Sequence, residues 1–160
     1  MRAAPPVDAV QLHFSLLYRE DYRELRPFCE ESGIALLAYG PLGFGVLTGT
    51  MTADTRFPDD DWRSGAVPIP TPLYEQIFAP TPFRRHLAVV EALRPIAQRN
   101  GTTLAQLALA WVGAQSGVTA AIAGSRSAAR MRANAAAGSI ELTPAQLEEI
   151  DEALAGVALV

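Results

Sequence analysis

Three short stretches of the chain have the apolar character and the length of β-strands. Residues 7–12 alternate between apolar and polar side chains, residues 34–39 are apolar throughout, and residues 118–123 are mostly apolar. Runs of this length between glycine, proline or polar residues are typical of strands. The run at 34–39 predicts a strand covered on both faces of a parallel sheet. We therefore predict three strands, the first ending near Leu12.

The segments between and after these stretches carry apolar residues at helical spacing. Glycines at helix ends and a Thr-Pro-x-Gln sequence at a helix start mark the boundaries. Pro95 is expected to bend or break its helix. The predicted helices are residues 20–32, closed by Gly33; 84–98; 103–115; 128–137, closed by Gly138; and a last helix after Thr143. Alternating strands and helices predict an α/β fold with a parallel sheet.

Residues 50–82 do not follow this pattern. The stretch is rich in proline, has little periodicity and contains the three successive aspartates Asp59, Asp60 and Asp61. A long irregular loop in a compact domain is more often functional than accidental. We therefore interpret residues 50–82 as a functional loop.

Composition narrows the range of functions. The 160 residues are 49% hydrophobic, which predicts a globular chain, and the net charge of −4 argues against a nucleic-acid partner. All 13 basic residues are arginine, which excludes Schiff-base chemistry, pyridoxal-phosphate attachment and a P-loop, because each needs a lysine. The single cysteine, Cys29, and the absence of a long apolar run or a signal-like start predict a cytoplasmic protein with no membrane partner.

The first candidate binding loop follows the second strand. Tyr39 precedes Gly40, Gly43 and Gly45. At the carboxyl ends of parallel strands, glycines let backbone N–H groups approach phosphates, and an aromatic ring can lie against a flat heterocycle. Glycine-proline clusters are also common in ordinary turns, and Tyr39 could simply end a strand. Both interpretations stay open at this point.

The second candidate loop follows the third strand. Gly124 and Ser125 precede a predicted helix start, with Arg126 and Arg130 four positions apart. A helix N-terminus offers unpaired N–H groups and a positive dipole end, so a phosphate is the natural ligand. The spacing differs from the GxGxxG pattern of dinucleotide-binding folds. The alternative, that these arginines belong to a solvated helix face, stays open.

Together with Gln11, the two loops resemble the carboxyl-terminal half of the aldo/keto reductases. In that family, a strand ending in glutamine is followed by Asn/Ser-Leu-Leu-x-Arg, which is found here at residues 11–19. The next strand ends in an aromatic residue followed by Ser/Gly-Pro-Leu-x-x-Gly-Leu/Val-Leu-Thr-Gly, found here at residues 39–49. The last strand leads to a glycine, a glutamine or arginine and an asparagine, here Gly124, Arg130 and Asn134.

The resemblance covers nearly the whole chain and implies its fold. Residues 60–64 also resemble the variable loop of the branch that includes the potassium-channel β subunits and their bacterial relatives. The implied fold is part of a (β/α)8 TIM barrel, namely its carboxyl-terminal portion with about three parallel strands and surrounding helices. Residues 1–160 would then form the C-terminal part of an oxidoreductase domain whose N-terminal half is absent.

The resemblance also implies NADP(H) as the cofactor. Gln11 would hydrogen-bond the nicotinamide carboxamide, and Tyr39 would stack on the nicotinamide ring. The pyrophosphate would be lined by Gly40, Pro41, Leu42, Gly43 and Gly45, with Arg63 reaching over it. The adenosine 2′-phosphate would be held by Gly124, Ser125, Arg126 and Arg130, and Asn134 would meet the adenine. Paired arginines suit a dianionic phosphate, which favours NADP over NAD.

Two features depart from the family pattern. Many relatives have a lysine where this chain has Thr50. The family transfers hydride with an Asp, Tyr, Lys and His tetrad that lies upstream of the glutamine strand, and none of the four is found here. His13 and His86 do not occupy the matching position, and we interpret both as structural or surface residues. The sequence therefore offers no catalytic residue and no metal ligand.

We expect an NADP(H)-binding segment of an NADPH-dependent reductase that converts aldehydes or ketones to alcohols. The segment is expected to be inactive alone, and to self-associate or pair with the absent half. The alternative is a non-catalytic NADP(H)-sensing or protein-interaction module. A small carbonyl compound is the expected substrate class of the full-length family.

Overall fold

The computed structural model describes residues 6–69 and 72–158. Within these residues, the strands are β1 (Ala9–His13), β2 (Ala35–Tyr39) and β3 (Val118–Ile122). The helices are α1 (Glu20–Ser32), α2 (Pro80–Arg99), α3 (Leu104–Gly113), α4 (Ala128–Ala136) and α5 (Pro144–Ala158). The chain order β1-α1-β2-α2-α3-β3-α4-α5 confirms the predicted alternation of strands and helices.

The strands form one parallel sheet in the order β1-β2-β3. Gln11 of β1 lies opposite Leu37 of β2, and Tyr39 is paired with His13 on one side and Ile122 on the other. Parallel strands need long crossover connections, which α1 supplies after β1 and which α2 and α3 supply after β2. The carboxyl ends of all three strands therefore lie at one edge of the sheet.

The two faces of the sheet differ in burial. Leu12, Leu36 and Ala38 share one face and are at most 4% exposed, and α1 packs against β1 and β2. On the other face Leu37 is half-buried, and Ile122 is 45% exposed. The prediction that residues 34–39 are covered on both faces is therefore wrong. Burial alternates along β2 because helices cover one face, while the other face is only partly covered.

The chain divides into two compact units. The first unit consists of the residues up to Phe44 together with Ala105–Leu142, so it contains the sheet, α1 and α4. The second unit consists of Gly45–Leu104 and the segment that begins at Thr143, and it contains α2 and α5.

Aromatic packing stabilises the first unit. Phe14, which follows β1, stacks on Tyr22 of α1 with ring centres 4.2 Å apart, and it contacts Trp111 of α3 at 5.5 Å. The Tyr22 hydroxyl donates a hydrogen bond of 2.7 Å to the carbonyl of Ser116. Helix α1 ends as predicted at Gly33, whose φ of +67° is readily adopted by glycine.

Packing of α2 against α5 stabilises the second unit. Helix α5 begins with the predicted capping box, in which Thr143 and Gln146 exchange backbone-to-side-chain hydrogen bonds. The Gln146 amide also donates to the side chain of Asn100 at the end of α2, at 2.7 Å. An ion pair between Arg99 and Glu149 joins the same two helices.

The second unit departs from prediction in two places. Helix α2 runs from Pro80 through Pro95 to Arg99 without a break, so of the expected bend or break at Pro95 the break is wrong. The proline removes one backbone hydrogen bond, and the buried face of α2 maintains the helix around it. The loop at 50–82 is only partly irregular, since it contains a 3₁₀ turn at Trp62–Ser64, a π-helical turn at Tyr74–Phe78 and the start of α2.

Among the residues that the structure describes, no helix has both the length and the apolar character needed to cross a membrane.

Candidate functional site

The candidate residues of the first unit lie at or just beyond the carboxyl ends of the strands. Gln11 is an exposed residue of β1, and Tyr39 ends β2 with its side chain half-buried. Gly124 follows the end of β3. Because β2 is the central strand, the loops that follow β2 and β3 leave neighbouring positions on the same sheet edge. This edge is where parallel α/β folds place their ligands.

An aromatic cluster supports Tyr39. His13 stacks between two tyrosines, with ring centres 4.6 Å from Tyr18 and 5.3 Å from Tyr39, and Phe44 packs at 5.5 Å with a tilted ring. His13 is only 3% exposed, and its Nε2 atom has no hydrogen-bond partner among the residues that the structure describes. Desolvation by burial lowers the pKa of His13 from its usual 6.5, against the opposing charges of Asp21 and Glu20. His13 is therefore a neutral ring at neutral pH.

His13 is a structural residue, which is one of the two interpretations that the sequence left open. The sequence interpretation did not name its neighbour, and the structure places it against Tyr39, the predicted nicotinamide platform. The spacing along β1 contained a signal for this contact. Gln11 and His13 are two positions apart on a strand, so they share the face that Tyr39 also occupies.

The loop after β2 is closed by its own packing. Gly40 has φ +63°, and a Cβ there would lie 3.1 Å from His13 and 3.2 Å from Phe44. The Gly43 N–H donates to the Gly40 carbonyl at 2.9 Å, and Phe44 adopts φ +52°, which is uncommon for a non-glycine residue. Pro41 is buried and Leu42 is half-buried. Gly40 is thus required for the aromatic cluster, a reason that the sequence did not reveal.

The loop after β3 is open. Gly124, Ser125 and Arg126 are exposed, and a Cβ on Gly124 would meet no atom within 4 Å. The Ser127 hydroxyl accepts from the backbone N–H of Arg130 and so caps α4, while the Ser127 N–H donates to the Ser125 hydroxyl at 3.1 Å.

Helix α4 carries the other predicted residues of this loop. Arg130 is exposed in its first turn, and Asn134 is half-buried one turn later. An exposed helix N-terminus with an arginine in its first turn has the donors that a phosphate group requires. The residues present therefore fit the phosphate of a nucleotide.

Gly45 and Arg63 belong to the second unit, where they lie near each other. Gly45 has φ +107°, and a Cβ there would stand 3.9 Å from the Nη1 atom of Arg63. Asp61 holds the same guanidinium in an ion pair of 2.5 Å, and Phe57 lies under it with its ring centre 4.5 Å away. The sequence prediction named Arg63 as a site residue but did not connect it with Asp61 or Phe57.

The hydroxyls of Tyr18 and Tyr22 in the first unit are engaged in local structure. Tyr18 donates to the carboxylate of Asp21 at 3.0 Å, and Tyr22 donates to a backbone carbonyl. Burial raises the pKa of Tyr22 above its usual 10. A neighbouring cation lowers the pKa of a tyrosine, and Arg26 beside Tyr22 acts in this direction, but burial is the larger effect and the pKa is raised.

A family sequence model, sequence relatives and a solved structure all agree with the family resemblance found in the sequence. The chain matches the sequence model of the Aldo/keto reductase family over residues 1–155. It is 33% identical over 154 residues to the aldo-keto reductase yakc [NADP(+)] of Schizosaccharomyces pombe, and 31% identical over 151 residues to the NADH-specific methylglyoxal reductase of Escherichia coli. These alignments cover 94% and 92% of this chain.

Among solved structures, the glycerol dehydrogenase AKR11B4 of Gluconobacter oxydans superposes with a TM-score of 0.80 at 28% identity. The match covers 95% of this chain and 43% of that one. The chain likewise spans 43% of the length of each of the two sequence relatives. The three parallel strands and their helices therefore correspond to part of an aldo/keto reductase barrel, as predicted.

Proposed function

Because the chain belongs to the aldo/keto reductase family, we propose that it forms the NADP(H)-binding carboxyl-terminal portion of a reductase for small carbonyl compounds. One observation carries this proposal. Tyr39 ends β2, and the capped N-terminus of α4 follows the neighbouring strand β3, so a flat aromatic ring and a phosphate site are proposed at the same edge of the sheet. A dinucleotide needs both an aromatic surface for its ring and a site for its phosphates.

Each part of this edge has a separate task in the proposal. Tyr39, supported by His13, presents a flat face to the nicotinamide, and Gln11 provides an amide for its carboxamide. Within the first unit, the loop after β2 is proposed to offer backbone N–H groups to the pyrophosphate. Within the second unit, Arg63 beside Gly45 is proposed as a separate pyrophosphate contact. When bound, the cofactor supplies the hydride, and the chain's residues hold its reactive ring in one orientation.

The charge at the start of α4 favours NADP(H). Arg126 and Arg130 flank the Ser127 cap and are both exposed, which leaves them accessible to a dianionic 2′-phosphate. The named relatives differ in cofactor, one being described as NADP(+)-dependent and the other as NADH-specific. Residues of this chain therefore decide the choice, and Asn134, one turn along the same helix, is proposed to meet the adenine.

We propose that the 160-residue chain does not turn over carbonyl substrates on its own. Its tyrosines lack a lysine partner, and the family's tetrad requires one. The half-exposed sheet face that carries Leu37 and Ile122 is the surface that further barrel strands would cover, whether from a second copy or from the amino-terminal half of a barrel.

The cofactor assignment is tested by equilibrium binding of NADPH and NADH to the wild-type chain, to Arg130→Ala and to the matched control Arg132→Ala. Removing a charge-assisted phosphate contact is expected to weaken NADPH binding about tenfold while NADH binding changes little. Arg132→Ala removes the same charge from the same helix and should have a much smaller effect. Equal losses for both cofactors, or for both variants, would contradict the 2′-phosphate assignment.

A further inference from the structure

The carboxylate of Asp61 makes several contacts to Arg63 in the second unit. It accepts from the backbone N–H of Arg63 at 3.0 Å, from Nε at 2.9 Å and from Nη2 at 2.5 Å. The first contact caps the 3₁₀ turn Trp62–Ser64. The other two do nothing for the turn, and they fix the plane of the guanidinium.

Aromatic packing also orients the guanidinium of Arg63, on one face of its plane. Its central carbon lies 4.5 Å from the ring centre of Phe57. Phe57 packs edge-on against the buried Phe78 at 5.3 Å, and Trp62 makes the same kind of contact with Phe78. The arginine plane is thus set from its edge by a carboxylate and from its face by a ring that is itself held in place.

The guanidinium of Arg63 held in this way is directed at Gly45. Nη1 of Arg63 stands 3.9 Å from the position that a Cβ would take on Gly45. That Cβ would also lie 2.9 Å from the terminal carbon of Met51, so the space beside Gly45 is narrow. Any side chain at position 45 would crowd the face that Arg63 approaches.

The arrangement does more than stabilise the loop locally. The Arg63 and Asp61 side chains are 27% and 22% exposed, and their bidentate contact orders a long side chain in one orientation at a cost in conformational entropy. Asp59 and Asp60 directly precede Asp61 and are exposed, yet the guanidinium is oriented by Asp61. An arginine ordered in advance loses less entropy when it binds an anion.

We propose that Asp61 is a positioning residue, which presents the Arg63 guanidinium beside Gly45 to a pyrophosphate group. The inference rests on the proposed function in that the pyrophosphate is the one in NADP(H). A planar guanidinium held by a carboxylate along its Nε/Nη2 edge keeps one orientation, and this fixed orientation favours the directional contacts that arginine makes to phosphate oxygens. Asp61 itself does not touch the ligand.

The test is calorimetric titration of the full chain with inorganic pyrophosphate, with 2′-AMP and with NADPH. The variants are Asp61→Asn, Arg63→Ala, the double variant and the matched control Asp60→Asn, which removes the same charge one residue away. Asparagine retains an acceptor for the backbone N–H of Arg63, so the turn keeps its cap. Thermal midpoints confirm that each variant is folded.

We expect Asp61→Asn to weaken pyrophosphate and NADPH binding about tenfold and to leave 2′-AMP binding unchanged. In the Arg63→Ala background, the same substitution should have no further effect, because Asp61 acts through Arg63. Asp60→Asn should leave affinity equal or slightly higher, since it removes a negative charge near the anion.

Three outcomes would overturn the inference: tighter binding in Asp61→Asn, an equal loss in the Arg63→Ala background, or no pyrophosphate binding by the wild-type chain. Failure of the proposed function has a different signature. In that case pyrophosphate binds in an Asp61-dependent way, but NADPH binds no better than pyrophosphate.

Discussion

The loops after β2 and β3 leave neighbouring strands at the same edge of the sheet, and they are built in opposite ways. In the first, Gly40 has a left-handed backbone, and its missing Cβ makes room for His13 and Phe44. In the second, Gly124 has no left-handed φ and no atom near its Cβ position. The protein's own packing requires Gly40 and does not require Gly124. A glycine that packing does not require, next to exposed arginines, supports the phosphate site proposed at the start of α4.

The largest expected effect tests the closed loop. Gly40→Ala should destabilise the first unit by about 3 kcal/mol, because it adds left-handed strain to overpacking against two rings. Denaturant unfolding measures the change. Gly33→Ala is the matched control, since Gly33 has φ +67° and no atom within 4 Å of its Cβ position. It should lose only the strain, about 1 kcal/mol. Equal losses in both variants would show that the packing around Gly40 contributes nothing.

A smaller effect depends on pH and involves the histidine of the closed loop. Burial lowers the pKa of His13 in the folded chain, while the unfolded chain takes up a proton near pH 6.5. Below pH 6.5 the unfolded state therefore binds more protons than the folded state. The contribution of the neutral His13 to the free energy of unfolding is complete above pH 6.5, and it is lost as the pH falls toward the lowered pKa. His13→Phe retains a stacked ring and should flatten this slope.

His86 is the control for the pH measurement. It lies in the second unit, and burial lowers its pKa as well, although its Nδ1 atom lies 3.3 Å from the carbonyl of Ile77. His86→Phe should remove a separate part of the slope. If the slope is unchanged in His13→Phe, the imidazole of the aromatic cluster is not held neutral by burial.

The smallest effect on stability tests the open loop. Gly124→Ala should change the free energy of unfolding by less than about 0.5 kcal/mol, because the new methyl group meets no atom. NADPH affinity should fall all the same, since the methyl group occupies space at the start of α4 that a phosphate would use. A loss of stability close to that of Gly40→Ala would remove the distinction between the two loops.

The sequence predicted the strands and helices well because their signals are local. Helix α1 has the predicted bounds with Gly33 at its end, and the capping box of α5 is formed by the predicted residues. The unbroken course of α2 through Pro95 depends on tertiary packing, which no local pattern reveals. The alternating burial of β2 was missed for a similar reason, because an apolar run does not show which of its faces a helix will cover.

The residues of the candidate site differ in the same way, since some carry a local sequence signal and others do not. Motif spacing selected Tyr39, Arg63 and Arg130 as candidates because their residue types are distinctive. It did not select Asp61 or His13, because what singles out each of them is a contact to another candidate residue. One aspartate among three in a row, and one histidine on a strand, carry no signal in the sequence, since neither shows there which side chain it contacts. Gly40 was selected for a backbone approach to phosphate, which stays a prediction, and the sequence did not reveal the packing that this glycine permits.

The two histidines have a practical consequence for experiments in solution. The chain contains only these two, one buried in each compact unit. Isotope labelling of histidine alone would give one imidazole signal for each unit, and the signal of His13 would be displaced by the ring currents of the flanking tyrosines. The loss of each signal on heating or dilution would then report whether the two units unfold together or in turn.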